Sequence, residues 1–420
     1  MSRQHRPLPA APAVARWHTA NGVEVRFVAR HEVPIVDVNL DFDAGAVHDP
    51  ADRAGVAELV RSLLFTAIPR GDTGPALDEE AIEAAFDELG AELSVDVRPS
   101  CLSVGLRMLS AAAWREPAIA LLGRGLSRPR FGVRVFERER DRLEAWLAEQ
   151  ETETEWVAER AFETGVFGDH PLARTPDADS LQRIALSDLD AFWRSHCGAA
   201  GAILTIVGDL SQAAAEDLAA RLTVGLPPGA ATSVDYRFAP AQATLQRVAH
   251  DAAQAHVLVG ALTVPATHAD AVPLALANRA LNWRLHAVVR ERDGLAYDVS
   301  STLLASRYGF VRVALKTRAD QAEQALGAVL EVMDAYQRDG VDADDFERMR
   351  NEMLRGYPLG LDSNAKLLRH VADTGFDGLP PDELARWPAR AAAVALDEAS
   401  RAFAAHLAPA RRVSVIVGGR

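Results

Sequence analysis

The chain has 420 residues, 49% of them hydrophobic and 25% charged, which is the balance of an ordinary soluble globular protein. A formal net charge of -14 argues against nucleic acid or an anionic membrane as the main partner. No apolar run reaches the roughly 18 residues that span a bilayer, and no signal peptide is visible. We therefore expect a cytoplasmic protein, or a periplasmic one if a leader has been removed.

The first half of the chain carries strand and helix patterns in a regular order. Short apolar alternations predict strands, the first of them after an Asn21-Gly22 turn, and longer amphipathic stretches predict helices. We expect strands at 23–28 and Ile35–Phe42, a helix at 56–65, a strand pair at 93–97 and 102–108, two further helices, and a closing strand at 202–207.

The second half predicts the same order again. We expect strands at 245–248 and 256–262, a helix at 273–289, a strand pair at 297–304 and 309–315, two helices, and a closing strand at Val413–Val417. Short sequence matches support a duplication, because Phe136-Glu137-Arg138 recurs as Phe346-Glu347-Arg348 at an offset of 210 residues. Ile206-Val207-Gly208 recurs as Ile416-Val417-Gly418 at the same offset.

These patterns predict an α+β fold of two homologous domains, each a largely antiparallel sheet with helices packed on it. A stretch rich in proline, glycine and serine marks the division between them. The predicted parts are an N-terminal extension at 1–16, a first domain at 17–224, a linker at 225–238 and a second domain at 239–420.

The predicted helix at 56–65 has the frame of a metal-binding helix without its ligands. In inverted zinc peptidases a His-x-x-Glu-His run supplies two zinc ligands and a general base. Glu58, Arg61 and Ser62 occupy those three positions here. Farther along, Arg290 and Tyr297 stand seven residues apart in the run Arg-Glu-Arg-Asp-Gly-Leu-Ala-Tyr.

In their order and spacing, these features resemble the insulinase/pitrilysin family of zinc peptidases from about Trp17 to the C-terminus. The likeness is greatest to the short-chain branch that includes mitochondrial processing peptidase. It implies two domains that face two domains of a second subunit around a closed chamber, where peptide binds as an added strand. It also implies that an Arg and a Tyr, seven residues apart, complete the site, in some pairs from the subunit that lacks zinc.

The resemblance places a degenerate metal site at four positions of this chain. Glu58 and Ser62 replace the two histidines, Arg61 replaces the catalytic glutamate, and Trp146 falls near the downstream glutamate ligand. A tryptophan indole only donates hydrogen bonds, and an arginine repels a dication. We therefore expect no cofactor on this chain and zinc in a partner subunit.

The frame around Arg290 and Tyr297 is kept, although the glycine-rich loop that usually precedes this helix is shortened to residues 280–283. The functional interpretation makes both residues catalytic, stabilising the transition state at a partner's metal site. The structural alternative is an arginine paired with Glu291 or Glu139, and a half-buried tyrosine in a strand.

The sequence favours a non-zinc-binding subunit of a heterodimeric zinc metallopeptidase, inactive alone and acting on a peptide substrate. Its partner would be a homologous zinc-binding subunit, with no nucleic acid or membrane involved. One alternative is a catalytically inert scaffold or core subunit of a larger complex, in which the Arg/Tyr pair is a relic. Another is a homodimeric peptide-binding protein.

Overall fold

A computed structural model describes residues 11–71, 74–229, 234–239 and 242–419. The strands of the first half are β1 Ala15–His18, β2 Glu24–Ala29, β3 Ile35–Phe42, β4 Ala67–Ile68, β5 Leu77–Asp78, β6 Glu92–Arg98, β7 Cys101–Leu109 and β8 Ile203–Gly208. Its helices are α1 Val56–Leu63, α2 Glu79–Glu88, α3 Ala112–Ser127, α4 Val133–Gln150, α5 Thr154–Phe167, α6 Ala178–Arg183, α7 Leu186–His196 and α8 Gln212–Thr223.

The second half contributes fewer strands and longer helices. Its strands are β9 Thr244–Val248, β10 Gln254–Leu262, β11 Val299–Ala305, β12 Gly309–Arg318 and β13 Val413–Val417. Its helices are α9 Ala271–Leu285, α10 Ala322–Asp339, α11 Ala343–Gly356, α12 Asn364–Phe376, α13 Glu383–Ala393 and α14 Leu396–His406. None of the described helices is long and apolar enough to cross a membrane.

Each half builds one main sheet, and the two sheets share a strand order. The first sheet runs β1-β2-β8-β3-β7-β6 and the second β11-β12-β10-β13-β9, so the second, read backwards, matches the first without β1. In each sheet one neighbouring pair is parallel, β2 with β8 and β13 with β9, and the others are antiparallel. The predicted α+β fold of two homologous, largely antiparallel units is confirmed.

The two halves exchange one helix each. Helix α5 of the first half packs on β10 and β13 of the second sheet, and α12 of the second half packs on β8 and β3 of the first. These two helices start 210 residues apart, at Thr154 and Asn364, so the exchange is reciprocal between repeats. Strands β8 and β13 are buried along their whole length, and the exchanged helix covers one face of each.

Close contacts fix both exchanged helices. On the second sheet the Phe162 ring lies over Gly260, where an added Cβ would approach the ring to 2.7 Å. Arg312 of β12 also donates to Glu159 of α5 at 2.8 Å. On the first sheet, Arg98 of β6 donates to Asp373 of α12 at 3.0 Å. Burial and ion pairing therefore join the halves in both directions.

Two helices were predicted between the strand pair and the closing strand of each half, but the structure has five, α3 to α7 in the first half and α10 to α14 in the second. The other predicted elements agree with the structure except in a few places. The strand predicted from Tyr297 begins at Val299, because the chain is still turning at Tyr297. Residues 280–283, where the family frame gives a shortened loop, lie inside helix α9, as the helix predicted at 273–289 has them. Strand β1 begins at Ala15, within the predicted extension 1–16, whose residues 1–10 lie outside the described part. Linker residues 230–233 also lie outside it, and the division of the chain at 17–224, 225–238 and 239–420 remains a prediction.

Candidate functional site

Helix α1 carries the degenerate metal frame and is held firmly at its start. The buried Asp49 carboxylate accepts hydrogen bonds from the backbone N–H groups of Gly55 at 2.7 Å and Ala57 at 2.9 Å. Burial raises the pKa of Asp49 to about 6, against the opposing effect of these two donors. Gly55 has φ +108°, and an added Cβ would lie 2.6 Å from the Leu181 side chain.

The apolar face of α1 is buried, which leaves Glu58, Arg61 and Ser62 half-buried on the other side. The Arg61 guanidinium donates through Nε to the Glu58 carboxylate at 2.7 Å and makes a second, shorter contact with it. It also donates to the Ser62 hydroxyl at 3.2 Å. The three residues that replace the zinc motif therefore hydrogen-bond to one another.

Trp146, the fourth position of the degenerate site, lies on α4 and packs against another indole. Its ring centroid is 5.2 Å from that of Trp156, in an edge-to-face arrangement. Across the described ranges, no three His, Cys, Asp or Glu side chains are grouped so that they could hold a metal ion. The residues at this frame do not fit zinc, since its one carboxylate already pairs with Arg61.

The segment between Arg290 and Tyr297 has an unusual backbone. Helix α9 continues into a π-helical turn, His286–Arg292, and such turns are frequent at functional sites. Gly294 then adopts φ +63°, which lets the chain reverse. Leu295 is buried, its N–H bonded to Val289 at 2.9 Å and its carbonyl accepting from Thr317 at 2.5 Å. A fixed, buried turn therefore precedes Tyr297, which is exposed.

The structure brings Arg290 and Tyr297 together. The Arg290 guanidinium lies 5.7 Å from the centroid of the Tyr297 ring, a cation–π distance. Tyr297 is 89% exposed, contrary to the half-buried strand residue of the structural alternative. In the part of the chain described, Arg290 makes no ion pair with Glu291, Glu139 or another carboxylate. Both side chains therefore keep their hydrogen-bond donors free for another molecule.

The two predicted groups belong to different sheets. Helix α1 packs on α4, α7 and β6 of the first half, whereas α9 packs on β11, α11 and α14 of the second. Arg290 and Tyr297 thus form one exposed pair, and Glu58, Arg61 and Ser62 form a separate, mutually bonded group. The catalytic role of the pair remains a prediction.

Sequence reasoning missed a groove on the second half, beside α9. Trp283 is 40% exposed on α9, and the Arg348 guanidinium of α11 stacks on its ring at 5.0 Å. A hollow of about 510 Å³ continues from Arg348 along α11, and we call it the α11 groove; its lining is Arg348, Asn351, Glu352, Arg355, Gly356 and Leu359. The sequence signal that could have indicated the groove is the spacing of Asn351, Glu352 and Arg355, which lie three, four and seven residues after Arg348 and so share one helix face.

Comparison with known proteins places the fold. Residues 183–353 match the family described as the peptidase M16 inactive domain. The crystal structure of a peptidase M16 inactive domain from Pseudomonas fluorescens is similar over 97% of this chain and 98% of its own, with a TM-score of 0.91 and 28% identity. The likeness extends over both sheets.

Curated relatives carry two kinds of name. A Mycobacterium tuberculosis protein named as an uncharacterized zinc protease is 25% identical over 378 residues, 86% of this chain and 84% of its own. A Helicobacter pylori protein named as a non-peptidase homolog is 22% identical over 370 residues, 85% and 83% of the two chains. Residues 183–353 are therefore similar to the peptidase M16 inactive domain, and most of the chain is similar to proteins named as zinc protease and as non-peptidase homolog.

Proposed function

We propose that this chain is the non-zinc-binding subunit of a heterodimeric zinc metallopeptidase of the processing peptidase type. It binds no cofactor itself, and a homologous partner supplies the zinc, its ligands and the general base. This chain supplies Arg290 and Tyr297 and one part of the chamber that holds the peptide substrate. The observation that carries the proposal is the contrast between a self-bonded metal frame at Glu58 and Arg61 and an open Arg290–Tyr297 pair.

The chemistry explains why such a pair is useful. Peptide hydrolysis passes through a tetrahedral oxyanion, and donors fixed beforehand where that charge develops lower the barrier. In the proposal, the Tyr297 hydroxyl donates to this oxygen. The Arg290 guanidinium, which lies against the tyrosine ring, orients it or binds a neighbouring substrate carbonyl. The buried Leu295 turn supports both groups, so little ordering is needed when substrate arrives.

A second candidate is an inert scaffold or core subunit, and the name of the Helicobacter pylori relative, a non-peptidase homolog, favours it. In that case the chain still binds a partner, but the Arg290–Tyr297 pair plays no part in turnover. Both candidates therefore predict that the chain binds a partner. They differ in whether substituting Arg290 or Tyr297 lowers turnover.

The test is substitution within a complex of this chain and a His-x-x-Glu-His subunit from the same genome. We expect Tyr297→Phe and Arg290→Ala each to lower kcat by about 10²–10³ without weakening complex formation, because each removes a donor to developing charge. Arg401→Ala, at an exposed position on α14, is the matched control. Unchanged turnover in both variants would overturn the catalytic role and leave the scaffold.

A further inference from the structure

The α11 groove adjoins a second hollow beside α9. Glu352 lines the groove and also a second hollow of about 290 Å³, whose lining includes Trp283, His286 and Glu291. Glu291 directly follows Arg290. The two hollows therefore extend from α11 to the residue that follows Arg290.

In the α11 groove the acidic side chain is paired within the chain, whereas the two basic side chains form no close ion pair in the part of the chain that the structure describes. Glu352 accepts a hydrogen bond from Arg279 at 2.6 Å, so its carboxylate is already paired. Within the described residues, the exposed guanidiniums of Arg348 and Arg355 form no close ion pair. Arg348 does lie near Asp345: burial raises the pKa of that carboxyl, and the charge of Arg348 partly opposes the rise. Glu291 is the other acidic residue of this surface, and it lines the far hollow rather than the groove. In a chain with net charge -14, the groove therefore presents two open positive groups.

Apolar surface lies beside these charges. Leu359 is 67% exposed, although its turn, Tyr357–Gly360, is anchored by the Tyr357 hydroxyl, which donates to the Leu384 carbonyl at 2.9 Å. At the other end, the Arg348 guanidinium stacks on the exposed Trp283 ring. The groove thus offers two guanidiniums between an aliphatic and an aromatic surface, within the volume range of ordinary binding sites.

The internal repeat explains why this space is open. Gly356 ends α11 at the position that Trp146 occupies in α4, 210 residues earlier. An added Cβ at Gly356 would meet nothing within 4 Å, whereas at the equivalent position of α4 a partly exposed indole, Trp146, packs edge-to-face on Trp156. The same helix position is therefore filled in one half and vacant in the other.

We propose that the α11 groove is a subsite for an acidic segment of the peptide substrate, with carboxylates at Arg348 and Arg355 and an apolar side chain against Leu359. The chemistry is that of guanidinium–carboxylate pairing at a partly exposed surface. As a substrate subsite it rests on the proposed function. As a binding site for acidic peptide it belongs to this chain alone, and needs neither partner nor zinc.

The experiment measures binding to the isolated chain, with a chelator present. The probe is a fluorescein-labelled peptide of repeated Glu-Glu-Leu units, read by fluorescence polarisation, and peptides of Lys-Lys-Leu and Ser-Ser-Leu units are the comparisons. We expect the acidic peptide to bind, the other two to bind at least about tenfold more weakly, and the affinity to fall as salt is raised. Equal binding of all three peptides, or no binding of the acidic one, would overturn the proposal.

Two variants locate the site. Arg355→Glu should raise the Kd for the acidic peptide by about tenfold or more, and Gly356→Trp should do the same by filling the groove without changing its charge. Arg401→Glu is the control, because it makes the same charge change at an exposed position on α14. Circular dichroism establishes that each variant is folded. Wild-type affinity in folded Arg355→Glu and Gly356→Trp would show that the peptide binds elsewhere and overturn the proposal.

The outcome is separable from that of the proposed function. If binding depends on Arg355 but turnover does not change when Arg290 and Tyr297 are substituted, the acidic-peptide site is supported. Its role as a substrate subsite is then rejected. If turnover depends on Arg290 and Tyr297 but acidic peptide does not bind at Arg355, the proposed function is supported and the proposed acidic-peptide site is rejected.

Discussion

Arg61 determines what the degenerate metal frame has become. In a zinc peptidase the carboxylate at its position acts as the general base, and the neighbouring imidazoles hold the metal. Here its guanidinium hydrogen-bonds both Glu58 and Ser62, so the motif now stabilises its own helix face. The pair is more than a quarter exposed on both sides, and exposed pairs contribute about 0.2–1 kcal/mol.

Arg61→Ala tests whether this arginine alone prevents metal binding. The substitution frees the Glu58 carboxylate, but Ser62 and Trp146 still provide no ligands. We therefore expect far less than one bound zinc per chain after equilibrium dialysis, as for the wild-type chain, and a change in the free energy of unfolding of less than about 1 kcal/mol. A His-x-x-Glu-His subunit serves as the positive control. Stoichiometric zinc on Arg61→Ala would contradict our account of this frame.

At the Arg290–Tyr297 pair, the exposure of Tyr297 is the informative feature. Tyr297 is 89% exposed, although its neighbours Leu295 and Ala296 are in the core. Exposing an aromatic ring to water is unfavourable and adds nothing to core packing. The buried residues that precede Tyr297 nevertheless hold its ring at the surface. The arrangement is typical of a side chain positioned for another molecule.

At the scale of elements, the exchange of α5 and α12 is the main feature. Each sheet obtains the cover for its second face from the other half of the chain. On the second sheet the buried cluster includes Phe162 of α5 with Leu258 and Val415. On the first sheet it includes Val371 of α12 with Val207. Neither half can bury both faces of its own sheet.

Separate expression of residues 1–224 and 239–420 tests this dependence. Each half lacks the helix that covers its sheet and exposes an apolar face, so we expect both to aggregate or to bind a hydrophobic dye when alone. Produced together, they should copurify as one complex. The control is the full chain with a protease site inserted between 225 and 238, which should stay associated after cutting. Two soluble, monomeric halves without affinity for each other would contradict the exchange as the basis of stability.

The sequence predicted ten strands to within a few residues because alternation and strand-pair spacing are local signals, but it missed the short strands β1, β4 and β5. Val413–Val417 was placed correctly, and Ile35–Phe42 likewise. The helix exchange was not predictable in this way, since an amphipathic pattern indicates that a face is buried but not which sheet buries it. The family frame gives a loop at residues 280–283, but the helix predicted from the pattern at 273–289 already includes Trp283, and α9 runs through it because its neighbours are good helix formers.

The site was predicted in part for the same reason. Arg290 and Tyr297 were singled out because their frame resembles that of the insulinase/pitrilysin family, and in the structure their side chains lie together with the Gly294 turn between them. The hydrogen bonds from Arg61 to Glu58 and Ser62 follow from neighbouring positions on one helix face. The α11 groove was missed, because it depends on Gly356 lacking a side chain where its repeat partner Trp146 has one.

At the scale of the whole molecule, the chain combines a closed metal frame in one half with an open Arg290–Tyr297 pair in the other. Two such sheets joined by exchanged helices form a single unit in which the relation between the halves is fixed. A second subunit with an intact zinc motif would then need only to dock against this unit. The central claim is therefore that activity belongs to the pair of subunits and to neither alone.

The most direct measurement is cleavage of a quenched fluorescent peptide mixture by this chain, by a His-x-x-Glu-His subunit from the same genome, and by the two mixed. The account predicts cleavage in the mixture only, with a rate that rises with added chain until one is present for each partner. Cleavage by the partner alone at the rate of the mixture would contradict it. A stable complex that cleaves nothing would contradict it as well, and would identify the chain as a scaffold.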